Sequence, residues 1–421
     1  MAQIQTDPLP NPTKPPVPSP ADPGGTDVDA PTPPAAEPLR VALVYDMDAC
    51  RGPTGVTRHA LAQLDGLARR PEVRLIIASG RIREPDGLAR WEALDPLPRR
   101  ELPLRTRDAL RLWRVAGWPP LEWWTGPVDW TYSPAEYDVA TAKARRAVTS
   151  HDIMQDLSIG GSRRRERLAR TFDRADLILS VSRFNTARLF DAFPATQGRV
   201  AHVPNAADDL FFDPPTDHER AAARADLGLP PTIPYLLSVA NFQARKNLRR
   251  MIESAGRLPE VAEGSLALVL IGDGTEAEAA PLRQLAAQLG RKAVIRFPGY
   301  RQGRPLRAAY AEAAALVFPS TVESFGIPAV EAMAAGCPVA LADNTALPEV
   351  GGEAGWYFDP TDAEAIAATL RRLLDDRAER SRRADLGRSI AARYRWEGST
   401  ARLVEALRWR GQAEARGRRK G

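Results

Sequence analysis

The chain has 421 residues, a formal net charge of +5 from 58 Lys plus Arg and 53 Asp plus Glu, and two cysteines. That length exceeds one ordinary core and calls for two domains. A net charge this small for the length does not by itself argue for a nucleic-acid binder, which is expected to carry a domain-wide basic face. Cys50 and Cys337 are too few for a disulfide scaffold or a thiolate metal cage, and they fit a reduced cytoplasmic setting.

The first 38 residues are rich in proline and lack the apolar core of a signal peptide, so they are expected to be disordered or extended. Structure is expected from Leu39, where LRVALVY reads as a buried strand running into DMD. RGPTGVTRHALAQLDGLA follows, a glycine-bearing loop entering an amphipathic helix, and VRLIIAS is the next strand. Between residues 80 and 132 the pattern blurs; Trp91, Trp113, Trp118, Trp123, Trp124 and Trp130 stand among many arginines. Two readings stay open there: a face for peripheral membrane association, with snorkelling arginines, or an insertion packed on the first domain. Strands VDWTYS, RAVTSHD, DLILSVS and VAHVPNAA complete this half, with helices near 162–173 and 184–193.

A proline-rich crossing leads to a second series. PYLLSVA, SLALVLIGDG, VIRFPGY, ALVFPS and PVALAD read as strands alternating with helices of about ten residues. Such alternation implies parallel sheets covered on both faces. The fold class is therefore α/β, two Rossmann-like domains facing a cleft, with ligands at the carboxyl ends of the strands. The expected divisions are 39–206, 207–385, helices over 386–410 returning toward the first domain, and a loose basic tail over 411–421.

FPSTVESFGIPAVEAMAAGCPV, Phe318 to Val339, concentrates the chemistry. Pro328 suits a first helical turn and Gly336 a helix stop. Glu323 then lies in the loop after a buried strand, and Glu331 in the helix that follows. SFGIP between them supplies the helix's unpaired N–H groups. Amides that bind anions beside carboxylates that accept hydroxyls suit a sugar nucleotide. Of the five lysines, Lys246 follows SVANFQAR; in a chain that writes nearly every cation as arginine, a retained lysine suggests a compact ammonium for phosphate oxygens.

ESFGIPAVEAMAAGCPV resembles the E-x7-E signature of retaining GT-B glycosyltransferases of glycosyltransferase family 4, the "glycosyl transferases group 1". PTGVTRHAL, TSHDI, SVSRFNTARL, VPNA, SVANFQARKN and YRWEGSTARL extend the resemblance over nearly all of residues 39–410. It implies that Glu331 holds the donor ribose and Glu323 contacts the donor sugar. The backbone of Phe325, Gly326 and Ile327 would meet sugar hydroxyls and phosphate. Lys246, with Arg245 beside it, would bind the diphosphate, and Gly55 would lie in the loop that closes over it. His151 of the HD pair would line the acceptor side of the sugar. Two departures stand out: Ser324 where the pattern has glycine, and Asn241 where many relatives carry an arginine. Arg58, one turn into the first helix, is either a weaker candidate of the same loop or a solvated cation, and Asp46 and Asp48 read as turn residues rather than a metal-binding pair.

The expected activity is hexose transfer from a nucleoside-diphosphate sugar to a glycan or lipid-linked hydroxyl, with retention and without a metal or other cofactor. GDP-mannose is the first expectation and UDP-glucose the second, in surface-polysaccharide assembly. The alternatives are a sugar-nucleotide epimerase and a non-catalytic sugar-nucleotide-binding protein.

Overall fold

The computed structural model describes residues 37–51, 54–291 and 294–418. The proline-rich segment through residue 36, and Gly52 and Pro53 of the glycine loop, lie outside the described residues.

The first sheet contains β1 (Leu39–Val44), β2 (Val73–Ser79), β3 (Arg99–Glu101), β4 (Trp130–Ser133), β5 (Arg145–Ser150), β6 (Leu177–Ser180) and β7 (Val200–His202). Their spatial order is β3-β2-β1-β4-β5-β6-β7, all parallel. The second contains β8 (Tyr235–Val239), β9 (Ala267–Ile271), β10 (Ile295–Gly299), β11 (Ala315–Phe318), β12 (Val339–Ala342) and β13 (Gly355–Phe358). These run in the order β10-β9-β8-β11-β12-β13, again parallel. ALVLI, ALVF and VALA are buried along their whole length, because helices cover both faces of a parallel sheet.

β3 and β13 were not legible in the sequence. β3 is RRE, a charged edge strand with no apolar alternation, and β13 is GWYF, a short strand that opens on glycine. The blurred stretch from the end of β2 into β4 packs on the first sheet, with Trp113 and, in β4 itself, Trp130 buried. Glu122 fixes it by accepting from the N–H groups of Ala142, Lys143 and Ala144 at 2.8–3.0 Å.

One expectation is corrected at the end of the chain. The stretch read as a loose tail from residue 411 is helical as far as Arg418, continuing the helix Trp396–Arg418 without a break. No glycine-with-proline stop interrupts RGQAEARGR, and helix formation propagates readily from a turn that is already packed. Leu403, Val404 and Leu407 of this helix enter the core beneath the first sheet. It crosses the helix Gly55–Ala68 closely: a Cβ on Gly66 would stand 2.2 Å from Thr400 Oγ1. Gln63 joins the two helices, donating to Ser399 at 2.8 Å and accepting from Thr400 at 3.0 Å. The last helix thus ties a segment that follows the second sheet back onto the first.

Among the described residues no helix is long and apolar enough to cross a membrane.

Candidate active site

In each sheet the strand order reverses once at a central pair, and a crevice opens there at the carboxyl ends. In the second sheet that pair is β8 and β11. The segment after β8 carries Arg245 and Lys246; the segment after β11 carries Glu323. The backbone sews them together, with Thr321 N–H donating to Arg245 O at 2.8 Å. Asn247 sits in the left-handed region, φ 58, which turns the chain sharply after Lys246. Its amide donates to Pro319 O at 3.1 Å and Pro360 O at 2.7 Å, fixing that turn.

Lys246 is buried, its ammonium donating to Glu323 Oε1 and lying 5.3 Å from the Phe318 ring centroid. Arg245 Nη1 stands 3.5 Å from the same Glu323 oxygen and donates to Val322 O at 3.2 Å. Two cations therefore share one carboxylate, leaving an excess of positive charge at the mouth of the crevice. Asn241, after β8, is exposed.

Gly326 N-caps the helix Ile327–Ala334 from the left-handed region, φ 94, and Pro328 falls in its first turn. A side chain at Gly326 would meet Leu347 Cδ2 at 2.6 Å. The Phe325 ring turns into the core, edge-on to Tyr394 with centroids 5.4 Å apart, so what Phe325 offers the crevice is backbone. Gly336, φ 77, follows the helix as its stop. Cys337 behind it is buried, and burial pushes its thiol up to about 12, as suits a small core residue.

Glu331 is completely buried in this helix. Tyr310 donates to its Oε2 at 3.1 Å, and Arg58 donates to its Oε1. Burial raises the Glu331 pKa, and the Arg58 guanidinium only partly offsets this. Arg58 also lies 3.3 Å from Asp208. Of the two readings of Arg58, the solvated one is thereby overturned. Arg58 belongs to the helix Gly55–Ala68 of the first half and spans to the second. A cation in a helix's first turn opposes the macrodipole. That local conflict was the sequence signal that Arg58 has a carboxylate partner elsewhere. Tyr310 and Asp208 left no comparable signal.

Gly55 opens the same helix, after Thr54, whose hydroxyl accepts from Thr57 N–H at 3.2 Å. A Cβ on Gly55 would lie 3.8 Å from Ile327 Cδ1. The start of the first half's helix therefore abuts the start of the E-x7-E helix.

His151 stands at the carboxyl end of β5, edge-on to His59 with ring centroids 4.9 Å apart. Its Nε2–H donates to Pro134 O at 2.8 Å, and its backbone N–H donates to Glu136 Oε1 at 3.0 Å. His59 Nδ1 meets Asn205 Oδ1 at 2.8 Å and Nε2 meets the Tyr132 hydroxyl at 3.1 Å. An amide oxygen only accepts, so Nδ1 carries the His59 proton and Nε2 accepts from Tyr132. Burial, then the neighbouring His151, holds the His59 pKa well below the ordinary histidine value. The described hydrogen bonds of His151 lie within the first half, whereas Gly55 and Arg58 abut residues of the second, as do Arg183 and Phe184, whose N–H groups donate to Glu349 at 2.9 and 3.0 Å. Asp48 accepts from the N–H groups of Arg83 and Glu84 at 2.9 and 3.1 Å, the turn role expected of it.

Residues 219–390 match the family described as glycosyl transferases group 1. D-inositol 3-phosphate glycosyltransferase of Corynebacterium jeikeium (strain K411) is 30% identical over 292 residues, covering 67% of this chain and 69% of that one. The chain belongs to the glycosyl transferases group 1. Another relative, O-antigen chain mannosyltransferase B of Escherichia coli, is 31% identical over 243 residues, 57% of this chain. That match spans 62% of the mannosyltransferase's own length. Among solved structures, a glycosyltransferase from Rickettsia africae ESF-5 superposes with a TM-score of 0.73 at 13% identity, over 89% of this chain and 98% of that one. Anabaena Alr3699/HepE in complex with UDP gives a TM-score of 0.70 at 17% identity, over 88% and 99%. These likenesses establish the GT-B fold for this group 1 chain.

Proposed function

We propose that this chain is a retaining hexosyltransferase that uses a nucleoside-diphosphate sugar. The observation that carries the reading is the sharing of Glu323 by Lys246 and Arg245 at the switch point, beside the start of the Ile327–Ala334 helix. Two cations against one carboxylate favour one further anion, and a diphosphate supplies it. Pro328 has no N–H and Ala329 N–H donates to Gly326 O at 3.0 Å, so the N–H groups left to meet an anion at this helix start are those of Gly326 and Ile327.

Glu331 holds the ribose hydroxyls, which take the place of Arg58 on its Oε1. Backbone at Phe325, Gly326 and Ile327 meets the sugar and the distal phosphate. Lys246 and Arg245 stabilise the diphosphate as it leaves, and that charge compensation lowers the barrier most where the negative charge grows. Glu323 orients the sugar and faces its developing positive charge; held by two cations, it is a weak nucleophile. Substitution therefore takes place on the face from which the diphosphate departs, with the acceptor proton passing to a phosphate oxygen. His151 lines the acceptor side. The positive charge comes from side chains and the helix terminus, so the reading is metal-independent.

The sugar that we favour is mannose, on the 31% identity to the O-antigen chain mannosyltransferase, with GDP-mannose the donor to test first; the acceptor is a glycan or lipid-linked hydroxyl in surface-polysaccharide assembly. The test is a thermal-shift screen with GDP-mannose, UDP-glucose and ADP-glucose, followed by NMR of the product's anomeric carbon. GDP-mannose is expected to raise the melting temperature most, by mass action. An epimer formed from donor alone marks an epimerase. Binding without release of nucleoside diphosphate in any acceptor mixture marks a non-catalytic binder. An inverted product overturns retention.

A further inference from the structure

The outer face of the first half holds a groove that the transfer reading does not use. It lies between the helices Thr106–Ala116 and Ile153–Arg174, has a volume of 420 Å³, and is lined by Arg114, Arg163, Arg164, Glu166, Arg167 and Arg170. Five of the six lining residues are cations and one is an anion. The second helix breaks at Gly161, φ 54, and the arginines follow the break. Arg163, Arg167 and Arg170 then fall at spacings of four and three, on one face of one helical limb. Like charges so spaced oppose helix formation. Glu166 lies 3.9 Å from Arg170, and Arg164 faces the buried Glu136 carboxylate.

Beside the groove the surface changes from charged to apolar. Arg114 lies in the last turn of the Thr106–Ala116 helix, which Gly117 stops from the left-handed region. Leu112 and Val115 occupy its outer side, Val115 at 88% exposure. Trp118 and Trp123 follow, 55% and 63% exposed, edge-on to each other with ring centroids 4.9 Å apart. Their turn is held to the helix by Trp113, whose indole N–H donates to Pro119 O at 2.8 Å. A paired indole surface left in water is unfavourable by the area that it exposes.

We propose that this face docks on a membrane surface rich in anionic lipid. The two indoles enter the headgroup boundary, where an aromatic body and a polar N–H are both satisfied. The groove arginines take the lipid phosphates, their stems lying along apolar surface. Neither an aromatic pair nor an arginine groove alone specifies a bilayer. Their adjacency does, since a bilayer offers anionic charge and an apolar layer within a few ångströms of each other. The proposal concerns binding, so it stands or falls apart from the transfer reading.

The experiment is co-sedimentation of the full chain with vesicles of phosphatidylcholine alone, and of phosphatidylcholine with about 30% phosphatidylglycerol. The wild type is expected to bind the anionic vesicles and not the neutral ones. The double variant Trp118→Ala/Trp123→Ala, and separately Arg163→Gln/Arg167→Gln, are each expected to weaken binding about tenfold. These positions are at the surface, and unchanged circular dichroism verifies the fold. In wild type, tryptophan emission should shift blue on the anionic vesicles; the aromatic double variant should lose that shift. Equal binding to both vesicle types overturns the proposal. So does binding that survives in both double variants, which would place it in the terminal segments. A dimer in solution that dissociates in the tryptophan variant also overturns it, by making the face a contact between copies.

Discussion

Arg58, in the first turn of the helix that follows β1, donates to Glu331, buried in the helix that follows β11, across 273 positions of sequence. The pair joins the two halves at the carboxyl ends of their sheets, and it engages the carboxylate that the donor ribose is proposed to use.

Removing one member of a buried ion pair leaves the other charge unpaired, at about 3–5 kcal/mol where burial is complete. Arg58 is partly exposed, so Arg58→Ala should destabilise the chain by about 3 kcal/mol near neutral pH, read from urea unfolding. The loss should shrink as pH is lowered from neutral, because the unpaired Glu331, its pKa raised by burial, takes up a proton and ceases to be a buried charge. A loss that does not change with pH would contradict the pairing.

Glu331 has a raised pKa, so its anionic form is disfavoured by burial. In the proposed function that anion is the acceptor for the ribose hydroxyls. Donor affinity, measured by calorimetry, should therefore fall as pH drops from neutral toward the raised pKa. Glu331→Gln should bind weakly at every pH and lose that slope.

Lys246→Ala should lower kcat by about 10²–10³-fold, the usual scale for removing one charge-stabilising donor at a reacting centre. Lys246→Arg should recover little of this, because a planar fork does not fit where a compact ammonium sits over Phe318 and against Glu323. EDTA should leave wild-type turnover unchanged. A loss of turnover with EDTA that added Mg²⁺ restores would sink the metal-independent reading.

His59 is held neutral in the fold, its pKa below the ordinary 6.5. The unfolded chain takes up a proton near that ordinary value, whereas the folded chain does so only at a lower pH. Stability should thus decline as pH falls below about 6.5, down to the depressed folded pKa. His59→Gln should be less stable than wild type at neutral pH and show a shallower decline in melting temperature with acid.

Gly326→Ala should be destabilised by about 1–3 kcal/mol, since φ 94 disfavours any Cβ and Leu347 must give way. Donor affinity should fall with it, because the same backbone faces the crevice.

What the sequence determined by itself is local. Apolar runs such as ALVLI and ALVF, alternating with helices, specified two parallel sheets, because burial on both faces requires continuous apolar strands. Pro328 and Gly336 bracketed the E-x7-E helix, since each residue's own backbone limits act at its own position. Glu323, Glu331 and Lys246 stood out by type against their surroundings. Only the tertiary structure decided what those charges meet. Lys246 reaches Glu323 because β8 and β11 are neighbours in space; Arg58 reaches Glu331 because the two halves meet at Gly55 and Ile327. β3 stayed hidden because a charged edge strand owes its pairing to β2 rather than to its own pattern. Periodicity records whether a side chain is buried. It carries no record of which distant partner lies opposite, and the energy of a buried charge depends on that partner.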